Sequence, residues 1–120
     1  MLLPNRSISL FPTYWFKSDL SQSKLRPAIV LWTSSTSVDV TLCFITSQDV
    51  NILNEGEFVL DQFDSEFQGT GLKVASKVRV TRMVTIERRL IMRRLGKMGI
   101  RQIQQLNANM IKSFKLQTSL

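Results

Sequence analysis

Two stretches of this chain alternate apolar and polar residues with a period of two, and one repeats near 3.6. "VDVTLCFIT" (38–46) sets Val38, Val40, Leu42 and Phe44 against Asp39, Thr41, Cys43 and Ile45. That pattern predicts a strand with one well-buried face. "VASKVRVTRMVTI" (74–86) puts Val74, Val78, Val80, Val84 and Ile86 on one face and Lys77, Arg79 and Thr81 on the other. Arg82 falls on the apolar face, so the pattern demands a bulge there or a sheet edge where the side chain reaches out. "AIVLW" (28–32) is a continuous apolar run behind Pro27 and reads as a strand buried on both faces. "ISLFPTYWF" (8–16) reads as a first strand, and Pro12 assigns it to an edge or a bulge. Between residues 49 and 71 only a short strand at "EFVL" and a glycine-bearing turn at "QGTGL" stand out. Ile100, Ile103, Leu106, Met110, Ile111 and Phe114 recur at helical spacing behind Gly96 and Gly99, and predict a closing helix. The expected fold is mainly β with a helix: a small, curved antiparallel sheet or barrel under a helical cover.

The 120 residues suffice for one domain, 1–120, with its own core. The single cysteine excludes an internal disulfide and a Cys-rich zinc site, and its place in "VTLCFI" makes Cys43 a small core residue. No apolar stretch approaches the ~20 residues that span a bilayer. Pro4, Arg6 and Pro12 interrupt the N-terminal apolar residues, which makes a poor signal peptide, and the chain reads as cytoplasmic. Histidine is absent. Any chemistry therefore runs without a Ser-His-Asp triad, a His-Cys pair, a His-ligated metal or a two-histidine ribonuclease mechanism.

The net charge of +7 is unevenly spread. Residues 1–72 carry four Lys/Arg and eight Asp/Glu, whereas residues 73–101 carry ten Lys/Arg and only Glu87. A segment at +9 points to an anionic partner: nucleic acid, an acidic protein or a membrane surface. The acidic stretch "EGEFVLDQFDSEF" (55–67) reads as a surface loop that limits non-specific binding. "SQSKLRPAIVLW" (21–32) places Lys24 and Arg26 at the mouth of a buried strand. Cations there are costly to bury unpaired. Either they are solvated loop residues, or the rigid strand presents Arg26 to an anion.

Four segments in order carry a resemblance: "DLSQSKLRPAIVL" (19–31), "FITSQ" (44–48), "GLKVASKVRVTRMVTI" (71–86) and "IMRRLGKMG" (91–99). Together they resemble the MazF/PemK family of toxin endoribonucleases over roughly residues 16–115. The Lys-x-Arg-Pro loop running into a buried strand is the most specific of them. The resemblance implies a Src-homology-3-like barrel with a C-terminal helix, a homodimer, and metal-independent cleavage of single-stranded RNA without a cofactor. It also implies a cognate acidic antitoxin that covers the RNA groove. Part of the family carries Arg-x-Asp on the strand corresponding to "RVT", where this chain has Arg79 and Thr81.

Metal-free RNA cleavage proceeds by attack of the 2′-hydroxyl on the adjacent phosphorus, so the site must stabilise added negative charge and manage two proton transfers. Arg26 suits the first task, because a guanidinium binds phosphate oxygens bidentately and stays charged. Thr46 resembles the family's active-site threonine; its hydroxyl donates well but is a poor base at neutral pH. Lys24, Ser21 and Ser47 suit RNA contact, and Lys77, Arg79 and Arg82 suit phosphates along the groove. Trp15 and Phe16 serve either as platforms for bases or as core packing. Two other function classes fit the same outline: a gyrase-binding toxin of the related CcdB fold, and a non-catalytic nucleic-acid-binding module.

Overall fold

A computed structural model describes residues 11–17 and 24–117. Six strands form one antiparallel sheet: β1 (Pro12–Lys17), β2 (Leu25–Thr33), β3 (Asp39–Thr46), β4 (Glu57–Leu60), β5 (Ser76–Glu87) and β6 (Ile91–Lys97). The helix α1 (Ile100–Phe114) follows. Their order across the sheet is β4-β5-β3-β2-β1-β6, so the ladder is open, with β4 and β6 at its edges. The chain is thus mainly β with one C-terminal helix, and no helix among the described residues is long and apolar enough to cross a membrane.

The sheet nevertheless has to curl. Four strand spacings separate β5 from β6, about 19 Å in a flat sheet. Their connection is only the 3₁₀ turn Arg88–Leu90, and four backbone steps reach at most ~14 Å. Curling brings the C-terminal half of β5 round to β6. The enclosed face holds Phe16, Ala28 and Leu42, with Phe44, Val84, Ile86 and Ile91 packed against them. The other face carries the larger core: Ile29, Cys43, Ile45, Phe58, Leu60, Val78 and Val80, with Leu106 of α1 and Met98 against it.

A bulge in β5 lets one strand serve both cores. Cys43 pairs with Met83, but the next residue, Phe44, pairs with Arg79. Val80, Thr81 and Arg82 are the excess, and the Val80 N–H leaves the ladder to donate to the Gly56 carbonyl at 2.9 Å. An odd number of extra residues reverses the facing of everything beyond it. Val78 and Val80 therefore join the main core while Val84 and Ile86 join the second, contrary to the single apolar face expected of 74–86; Val74 lies outside the strand and is exposed. β3 likewise differs from expectation. Leu42 and Cys43, on opposite faces, are both fully buried. In β2, Ala28, Ile29 and Val30 are buried as expected, while Trp32 is 53% exposed.

The remaining anchors bring distant segments to the site. Gly71 has φ +77°, and a Cβ there would lie 2.1 Å from the Leu95 carbonyl oxygen. Only glycine allows β6 to press so closely on the 67–72 turn. Thr13 on β1 ties the same turn down, its hydroxyl donating to the Thr70 carbonyl at 2.7 Å. At the start of α1, the Arg101 and Gln102 N–H groups donate to the two Glu66 carboxylate oxygens, both at 3.1 Å. A carboxylate at a helix N-terminus satisfies orphan donors and complements the dipole.

Candidate functional site

The β2–β3 register sets the site. The pairing of the two strands ends at Ala28 and Phe44, and Arg26 and Thr46 each lie two residues beyond it. Both are anchored by buried strand residues close by: Ala28 to Val30 beyond Pro27 on one strand, Ile45 just before Thr46 on the other. Arg26 and Thr46 line one cleft of about 250 Å³ together with Trp15, Lys24, Ser47 and Gln48. Arg26 and Lys24 are exposed, and among the described residues neither meets a carboxylate. The Thr46 hydroxyl oxygen accepts the Gln48 N–H at 3.1 Å. That bond fixes the oxygen and leaves the O–H free to donate.

A second cleft of about 140 Å³ lies on the other side of Thr46 and Gln48, which line both. Its walls add Asp49, Asn54, Lys77 and Arg79. Behind it sits Glu57 on β4, whose carboxylate bonds Lys77 Nζ at 2.8 Å and Arg79 Nε at 3.1 Å. The Asn54 N–H donates to Glu57 Oε1 at 2.9 Å, and Lys77 Nζ donates to the Ile52 carbonyl at 2.7 Å. Burial by itself would raise the Glu57 carboxyl. The Lys77 bond and charge, the Asn54 N–H and the Arg79 bond outweigh it and hold the group at about 2.

The expected site residues thus divide. Arg26, Thr46, Lys24 and Ser47 share the first cleft with Trp15. Phe16 is buried and packs on Phe44 with ring centroids 5.5 Å apart, which makes it core. Lys77, expected on the RNA surface, is only 5% exposed, and its ammonium is already committed to Glu57 and Ile52. Arg79 remains at the cleft. Arg82 is exposed in the β5 bulge and lines neither cleft. Thr81 lies against Gly56, outside both clefts, so the position that carries Asp in part of the family borders neither. Ser21 lies outside the described residues. Gln48, Asp49, Asn54 and Glu57 were not singled out by the sequence. The charge contrast between "EGEFVLDQFDSEF" and residues 73–101 is the signal for Glu57 alone, since acids of that stretch pair inside the molecule: Glu57 with Lys77 and Arg79, Asp64 with Arg101. Cys43 is fully buried and burial pushes its thiol up to about 12, so it is an inert core residue.

A family model for PemK-like, MazF-like toxins of type II toxin–antitoxin systems matches residues 13–114. The chain belongs to this toxin family. No curated protein matches it by sequence. Its fold resembles the Mycobacterium tuberculosis toxin MazF-mt6, at 21% identity and a TM-score of 0.67, over 89% of this chain and 99% of the other. A mycobacterial endoribonuclease in complex with its cognate antitoxin is similar over 92% and 98% of the two chains, at 13% identity and TM-score 0.68. The MazE–MazF structure from Deinococcus radiodurans gives 13% identity and TM-score 0.67 over 91% and 96%. At these identities the solved structures establish the toxin's fold.

Proposed function

We propose that this toxin is a metal-independent endoribonuclease that cleaves single-stranded RNA by attack of the internal 2′-hydroxyl. The observation that carries the reading is that Arg26 and Thr46, each two residues beyond the Ala28–Phe44 pair of β2 and β3, line one cleft. Family membership and a structural neighbour that is an endoribonuclease support it. In the reaction the 2′-oxygen bonds to phosphorus and loses its proton, and the P–O5′ bond breaks as the 5′-oxygen gains one. Arg26 binds the phosphorane oxygens as charge builds on them; one such preorganised donor is worth about 3 kcal/mol. The Thr46 O–H donates to the same phosphate and fixes its position. Lys24 and Ser47 hold the flanking RNA, and Trp15 offers a face to a base. Asp49 is the carboxylate that borders the cleft space shared by Thr46, and it suits a proton-transfer role.

The toxin in this reading works in the cytoplasm as a homodimer and is silenced by an acidic antitoxin whose tail covers the clefts, folding as it binds. The deciding experiment incubates pure protein with a long RNA in excess EDTA. Cleavage leaving a 2′,3′-cyclic phosphate and a 5′-hydroxyl is expected, and a 2′-deoxy substitution at the cut position abolishes it. Cleavage of the deoxy substrate, or 5′-phosphate products, would overturn the mechanism. A partner that binds without reducing cleavage would count against the shared cleft.

A further inference from the structure

The second cleft contains a charge arrangement that the cleavage step leaves unused. Glu57 is 4% exposed and Lys77 5%, whereas the Arg79 side chain is 31% exposed. The Glu57 carboxylate bonds two cations, so that buried cluster keeps a surplus positive charge, which Arg79 carries to the surface; Asp49 lies in the same cleft wall and forms no ion pair with it. Arg79 spends only its Nε on Glu57. Among the described residues its two terminal nitrogens make no hydrogen bond, and such a planar fork matches two oxygens of one phosphate. The cleft in front of it shares Thr46 and Gln48 with the first cleft.

We propose that this cleft is a second phosphate subsite, for an RNA backbone phosphate adjoining the one that is cut, and that Glu57 is the positioning residue that prepares it. Glu57 acts in two ways. It fixes Arg79 directly, so a long flexible side chain has little freedom left to lose when phosphate binds. Through Lys77 and the Ile52 carbonyl, and through the Asn54 N–H, it also holds the 52–54 end of the loop that forms the cleft wall. Lys77 in this arrangement is a strut and not a phosphate ligand.

The inference rests on the nuclease reading, and the test separates the two. The probe is a single-stranded RNA with one 2′-deoxy residue at the cut position, in which each backbone phosphate in turn is replaced by a neutral methylphosphonate. Its affinity is measured at fixed salt for the wild type and for Arg79→Ala. One linkage next to the cut position should lose about tenfold in affinity for the wild type when neutralised, as a charge-assisted contact does, and almost nothing for Arg79→Ala. Glu57→Gln should lose the same coupling at the same linkage, although Arg79 is still present. Glu57→Gln/Lys77→Met removes both buried charges together and serves if the single variant fails to fold. Arg79→Ala losing affinity equally at every linkage would overturn the subsite. Full coupling retained in the Glu57 variants would overturn the positioning role. Failure of the wild type to cut the all-ribose parent refutes the nuclease reading alone, while a toxin that does not bind RNA at all refutes both.

Discussion

The two clefts on either side of Thr46 present cations in opposite ways. In the first, Arg26 near the start of β2 and Lys24 just before it stand exposed and owe their position to the buried residues that follow in β2. In the second, Arg79 is held by a carboxylate that is itself locked by a lysine and a backbone N–H. The backbone alone fixes where the first pair begins, and a side-chain network fixes where Arg79 ends. Chemistry and stability are therefore separable on one side of Thr46 and joined on the other.

Replacing Arg26 tests the first half of that contrast and should have the largest effect. Arg26→Ala should lower the cleavage rate by 10²- to 10³-fold or so, with a thermal midpoint within a few degrees of wild type. Unfolding instead would make Arg26 structural. Glu57→Gln should cost stability as well as the phosphate coupling, about 3 kcal/mol because it leaves Lys77 buried without its counter-charge, read as a midpoint lowered by roughly 10 °C. An unchanged midpoint would contradict the buried network. Thr46→Val should slow cleavage by about tenfold, the worth of one donor to a charged group, and Thr46→Ser should recover most of it; equal rates in the two would reduce Thr46 to a turn residue.

The smallest effect sharpens the contrast through pH. The Glu57 carboxyl is held at about 2, below its ordinary 4.5. A depressed carboxyl contributes stability that is fully present above 4.5 and is lost as pH falls through 2. The stability gap between wild type and Glu57→Gln should therefore be flat from pH 5 to 8 and close steadily below pH 4.5, as followed by denaturant titration. A gap that instead closes between pH 6 and 8 would assign the effect to another group.

Five of the six strands and the helix were legible because each repeats its apolar positions or carries a turn signal at its ends. β6 was not, since Arg93 and Arg94 break the alternation of "IMRRLGK" at a sheet edge, where nothing demands burial on both sides. The facing of β5 was misread for a different reason. A three-residue bulge leaves the period-two pattern of the sequence intact while reversing its meaning in space. At the site, the strand-mouth position of Arg26 and the family match of Thr46 could be read locally. Glu57 and Lys77 could not: they are twenty residues apart, and nothing local distinguishes a buried lysine from the solvated cations around it.

The short turn that joins β5 to β6 also sets a timetable. β1 lies between β2 and β6, yet the last residue of β6 follows the last residue of β1 by eighty positions. At about 5–20 residues per second, a ribosome emits the first neighbour of β1 almost at once and the second some 4–16 s later. Until then the strand that carries Trp15 is secured on one side only, and the second core lacks Ile91. A nascent toxin thus reaches its working shape only after β6 has been made, long after the strand whose second edge it covers.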